Sequence, residues 1–142
     1  MKPFLLALLM GLSALACRDS GDEEHNAVVA KWKLIQIRQA VYNPDTKTME
    51  FITEDMNSKN IVYDFKANNT VVITGSSSDA GGFAKGTFHY HLTSENDASA
   101  PNIEHHYMVI DQSKWVYNIS EDKLNLYQSH VDASDLILQK IR

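Results

Sequence analysis

Nine short runs rich in β-branched, aromatic and aliphatic residues divide the chain between Lys31 and Ile141, and turn residues separate them. No stretch after Asn26 sustains a helical period. Spacing of roughly 8–15 residues between runs, with alternation inside them, is the pattern of an all-β domain. The runs are Lys31 to Tyr42, Met49 to Ile52, Asn60 to Phe65, Thr70 to Thr74, Ala84 to Leu92, His105 to Ile110, Lys114 to Ile119, Lys123 to Gln128 and Ser134 to Ile141. Ile61, Tyr63 and Phe65 oppose Val62 and Asp64, the period of two expected of a half-buried strand. Thr70 to Thr74 is β-branched throughout, which favours a strand over a helix.

The connections agree. Asn43-Pro44-Asp45 breaks the chain by turn chemistry, Asn68-Asn69 offers the positive φ of a tight hairpin, and Ser120-Glu121-Asp122 forms a short link. Gly75 to Gly82 and Ser94 to Asn102 read as loops. About eight strands in one domain must satisfy their edges. Closure into an antiparallel up-and-down barrel removes the edges altogether, and about eight strands leave room inside for side chains or one small ligand. A two-sheet β-sandwich is the alternative.

The 142 residues suit a single domain. With 13 basic against 18 acidic residues, the net charge is −5 and no basic stripe is present, so a nucleic-acid partner is not expected. A single cysteine excludes an intrachain disulfide. Its position is informative. Met1-Lys2-Pro3 leads into the apolar run from Phe4 to Ala16, which ends at Cys17 and is followed at once by Arg18-Asp19. As a helix at ~1.5 Å per residue this run spans about 20 Å, too short for a ~30 Å hydrocarbon core but suited to an export signal.

Ala14-Leu15-Ala16-Cys17 resembles a bacterial lipobox. That resemblance implies cleavage of residues 1–16 as a signal peptide and lipidation of Cys17, with several acyl chains giving stable membrane attachment. Residues 17–26 then read as a lipidated cysteine and a flexible acidic tether, and Asp22-Glu23-Glu24 loosely resembles an outer-face sorting signal. The expected location is the cell envelope, at the outer membrane, and the expected partner is the membrane itself.

The domain from residue 27 to 142 is similar to lipocalin-like domains of small Gram-negative lipoproteins. Ala30-Lys31-Trp32 resembles the Gly-x-Trp opening of lipocalins, with alanine in the glycine place. The runs around Tyr63 to Val72, Gly86 to Tyr90 and Trp115 to Leu126 look like the hairpins of such domains. The resemblance implies a lipocalin-like barrel whose base is closed by Trp32, with Lys140 or Arg142 lying across the indole, and a small apolar or amphipathic ligand.

Two clusters invite a functional reading. Trp32, Tyr63, Phe65, Phe88, Tyr90, Trp115 and Tyr117 would line a cavity if the barrel is hollow, or form a filled core if it is not. His89 and His91 share one strand face, and His105 or His106 on the next run could complete a three-imidazole metal site. Against that, Phe88, Tyr90 and Leu92 claim the interior and send both histidines outward, so no metal or other cofactor is expected. A Gly-x-Ser-x-Gly elbow and a phosphate loop are both missing, and no carboxylate pair stands out, so the chain is not read as an enzyme. A non-catalytic contact module for envelope proteins or glycans, working through Ser76–Gly82 and Ser94–Asn102, is the alternative to ligand binding. A monomer is expected.

Overall fold

The structure, a computed structural model, describes residues 20–75, 82–97, 100, 102–128 and 134–142. The signal segment 1–16, Cys17, most of the loop from residue 76 to 82, and His130 lie outside the described residues. Among the described residues one α-helix, α1 (Ser20–Val28), precedes nine strands. These are β1 (Lys31–Asn43), β2 (Thr48–Asp55), β3 (Val62–Phe65), β4 (Thr70–Thr74), β5 (Gly86–Asn96), β6 (Glu104–Ile110), β7 (Ser113–Ser120), β8 (Lys123–Tyr127) and β9 (Ser134–Lys140).

Every pairing is antiparallel, and β1 also pairs with β9 from Trp32↔Lys140 to Gln39↔Ser134, which closes the sheet. This decides for the barrel over the sandwich. The same edge of β1 serves two partners: β3 lies against Lys31–Lys33 and β2 against Gln36–Asn43. β1 and β3 to β9 therefore make an eight-stranded barrel, and β2 is an additional strand carried on the far half of β1. A bulge between Leu34 and Gln36 interrupts the β1–β9 register, so Ile37 rather than Gln36 packs against the core.

Alternation places the core as the pattern predicts. Trp32, Leu34, Tyr63, Phe65, Val71, Ile73, Tyr90, Met108, Ile110, Trp115, Tyr117, Leu124, Leu126, Leu136 and Leu138 all point inward and are buried. Asn69 takes the expected positive φ (61°) in the β3–β4 turn, and Glu121 does the same (56°) in the β7–β8 link. Gly75 ends β4 at φ 152°, where a Cβ would stand 2.8 Å from the Ile61 Cα, so the close approach of these two segments requires glycine. Trp32 is fully buried and donates its indole N–H to the Val28 carbonyl at 2.8 Å. Lys140, rather than Arg142, lies over its ring, with Nζ 5.5 Å from the centroid.

Two segments depart from the sequence reading. The stretch expected to be a tether is helical from Ser20 to Val28. A nine-residue helix is marginal alone, and its sequence has no apolar stripe to announce it. Docking supplies the stability: the Trp32 bond, a stack of His25 on Tyr90, and polar contacts of Glu24 hold it to the barrel. The polar stretch from Ser94 onward, expected to be a loop, continues β5 to Asn96 opposite Glu104 on β6. Backbone pairing carries these residues as strand beyond the point where side-chain alternation stops being legible.

Candidate functional site

Each aromatic residue considered as a cavity lining faces into the barrel. Trp32, Tyr63, Phe65, Tyr90, Trp115 and Tyr117 are buried, and Phe88 is partly buried against them. They pack on one another: Phe65 meets Tyr90 edge-on at 5.0 Å between ring centroids, and Tyr63 stacks near Phe65 at 6.3 Å. Phe83, just beyond the 75–82 loop, adds to the same layer against Phe88 and Trp115. The seven aromatics thus belong to the hydrophobic core of the barrel. The Trp115 indole N–H is buried in it and has no hydrogen-bond partner among the described residues.

The histidines are separated by the register of the β5–β6 ladder. His91 faces Val109, while His105 faces Glu95 and His106 faces Ser94. His105 is therefore four positions along the strand from His91, about 13 Å at ~3.3 Å per residue. His106 has the opposite parity and turns to the inner side. His105 contacts Asp97 (3.5 Å) and His106 contacts Glu24 (3.2 Å). Among the described residues no group of three or more His, Cys, Asp or Glu side chains is placed to hold a metal ion.

The distinctive geometry lies at the end of the barrel where α1 docks. β4 begins at Thr70 opposite His89, so among the described residues β5 from His91 onward has no strand beside it on that edge. The inner face of β5 and β6 runs on past the barrel, and α1 lies against it. Between them is a cleft of about 510 Å³. Leu92, Thr93 and Ser94 of β5 form one side of it, Glu104 and His106 of β6 another, and Glu24 and His25 of α1 face them. Asn69 and His91 complete the rim. A second cleft of about 200 Å³ lies across Glu24, between Ala27, Tyr117 and Ile119.

Glu24 is the hinge of this arrangement. One carboxylate oxygen accepts the Tyr117 hydroxyl at 2.8 Å, and the other approaches His106 Nδ1. Sequence reading placed Glu24 in a solvated acidic run, and nothing in its neighbours would have singled it out. Its role follows from the docking of α1 alone. Burial of Tyr117, joined by the Glu24 hydrogen bond and negative charge, pushes its hydroxyl well above the ordinary tyrosine range. Tyr90 is pushed up by burial as well, and it donates to the Lys66 carbonyl at 3.0 Å.

A raised tyrosine favours the folded state below the unfolded value of 10.0, and this contribution is lost as pH climbs through the native value. Stability of the wild-type chain should therefore fall above about pH 10. Tyr117→Phe should make that fall shallower while retaining the slope due to Tyr90. Denaturant melts of the two proteins at pH 8 through pH 11 provide the measurement, and identical slopes would remove Tyr117 from the account.

A further polar feature escaped the sequence reading. Asp135 is fully buried on the outer side of β9, accepting from Arg38 Nε (3.1 Å) and Nη2 (2.8 Å) and from the Gln128 backbone N–H (3.0 Å). It links β9, β1 and the end of β8, at the seam where the barrel closes.

Comparison of the chain with protein-family models, with curated proteins and with solved structures finds no match.

Proposed function

We propose that the protein is an exported lipoprotein, held to the outer membrane through Cys17, whose lipocalin-like barrel binds a small amphipathic ligand at its helix end without catalysis. The observation carrying the ligand reading is the cleft of about 510 Å³ beside α1. That size falls within the ~300–1,000 Å³ of small-molecule sites. Leu92 offers apolar contact, and Glu24, Glu104, Asn69 and Ser94 offer acceptors, so a ligand with an apolar body and hydrogen-bond donors suits it best. The packed aromatic interior argues for binding at the end of the barrel instead of inside it. A mass-spectrometric search of the natively purified protein should find a copurifying small molecule that is lost in Leu92→Arg. Protein that carries nothing, or a molecule retained by that variant, would count against this site.

The attachment is tested separately. Cys17→Ser should abolish lipid labelling and leave the precursor uncleaved, moving the protein out of the membrane fraction. Labelling that survives the substitution would refute the anchor. A second reading, a contact module for envelope proteins, is favoured by one observation: among the described residues, five of the seven large exposed apolar side chains lie on β1 and β2.

A further inference from the structure

The β1–β2 hairpin leaves the barrel. β9 accompanies β1 only as far as Gln39, and among the described residues β2 has β1 on one edge and no strand on the other. All eight residues of β2 are exposed. Val41, Tyr42, Met49, Phe51 and Ile52 are between 37% and 60% accessible, an unusual concentration of apolar surface on an open sheet edge. Tyr42 pairs with Met49 and Ala40 with Phe51, so three large apolar side chains share the outer face, and the Arg38 guanidinium covers part of the Phe51 ring at 4.6 Å.

The backbone parity of the free edge can be read from one hydrogen bond. The Met56 N–H donates to the Ile35 carbonyl, continuing the register in which Gln36 faces Asp55. Even-numbered residues of β2 therefore direct their N–H and C=O groups to β1. Met49, Phe51 and Thr53 direct theirs to the open edge.

We propose that this edge is the two-fold interface of a homodimer, in which β2 pairs antiparallel with β2 of a second copy around Phe51. An antiparallel edge is compatible with its own copy, because a two-fold axis normal to the sheet maps the strand onto its reverse. The axis must pass through a residue, because only then do odd-numbered positions, which carry the free backbone groups, face odd-numbered positions. With Phe51 at the centre, it faces its own counterpart, Met49 faces Thr53, Glu50 faces Ile52, and Thr48 faces Glu54. No two carboxylates oppose each other. Lys47, at the end of the hairpin turn and without an ion-pair partner among the described residues, meets Asp55 of the other copy. Centres at Met49 or Thr53 pair fewer strand residues and lose the Lys47–Asp55 match. A slip to Ile52 keeps the backbone groups aligned but sets Glu50 against Glu54, two like charges directly opposite each other. The five apolar side chains offer on the order of 500 Å² per copy, below the ~800 Å² of standard interfaces, which points to a weak, micromolar dimer.

The dimer does not depend on the ligand reading, and its test uses the full chain. In a hydrogen-bonded antiparallel pair, facing Cα atoms are ~5.5 Å apart, within the ~4.4–6.8 Å that a disulfide spans. Phe51→Cys should therefore oxidise to a covalent dimer. Ile52→Cys should not, because its counterparts stand about 8 Å apart in this register. The parent, whose one thiol is Cys17, sets the background. At least tenfold more disulfide dimer from Phe51→Cys than from either control is the expected result. Thr53→Pro removes an N–H from the free edge, where proline is tolerated, and should weaken association at least tenfold in sedimentation equilibrium without lowering the unfolding midpoint. A wild-type chain that stays monomeric at about 100 µM, well above micromolar dissociation constants, or equal cross-linking at 51 and 52, would overturn the proposal.

Discussion

Trp32→Ala should cost about 3–5 kcal/mol of folding stability, the range for removing a buried aromatic side chain. Trp32 has no accessible surface, sits at the first inward position of β1, and faces Tyr63 on β3 and Lys140 on β9. It therefore touches both seams through which β1 joins the barrel. Its N–H also satisfies the Val28 carbonyl, so truncation empties a large volume and frees the last turn of α1 at once. With a urea m-value of ~2 kcal/mol/M, the midpoint should drop by about 2 M, against a total stability of ~5–15 kcal/mol. Trp32→Phe separates the two effects: it keeps most of the packing and loses the hydrogen bond, and should cost about 1 kcal/mol. A loss below about 1 kcal/mol for the alanine variant would mean that this end of the barrel is not held by the indole.

Asp135→Ala is the second large effect, expected at about 3–5 kcal/mol, because it breaks a buried ion pair from one side. Asp135 is fully buried, whereas Arg38 keeps roughly a third of its side chain in water. Two bonds to the guanidinium and one to the Gln128 N–H converge on the carboxylate, and that N–H also loses its acceptor. The measurement that isolates the pair is a double-mutant cycle with Arg38→Ala, read from denaturant midpoints. Coupling above about 1 kcal/mol is expected, and additivity within ~0.5 kcal/mol would sink the claim that the pair acts as a unit. The pair has a further consequence for the edge of the sheet. Arg38 also lies over Phe51, so the same residue connects the barrel seam to the exposed face of β2. Losing Arg38 should loosen both.

Much of the barrel was legible in advance because strand alternation is a direct physical record of which side of a sheet is wet. Tyr63 and Phe65 on β3, Phe88 and Tyr90 on β5, and Trp115 and Tyr117 on β7 all turned inward as their spacing required. The functional end was less legible. α1 carries a nearly all-polar sequence, and its helical state depends on Trp32, four residues past its end, and on Tyr90 and Tyr117, which are remote in the chain. Glu24 acquires its partners 82 and 93 residues away, and no local pattern encodes such a distance. The histidine question also turned on register: residue type allowed three imidazoles to converge, and the ladder separated them by several positions.

The sequence by itself determined the class of fold and the identity of the core, since both follow from the period of hydrophobic residues and from turn chemistry. Only the tertiary structure decided that the barrel closes, through β1 reaching β9. It alone decided that β2 stays outside as an open edge, because β1 has one edge to share between β2 and β3 and gives its far half to β2. The cleft beside α1 arises the same way, from β5 and β6 outrunning β4. Closure, edges and clefts depend on how far each strand continues beside its neighbour, and alternation along one strand carries no information about the length of the next.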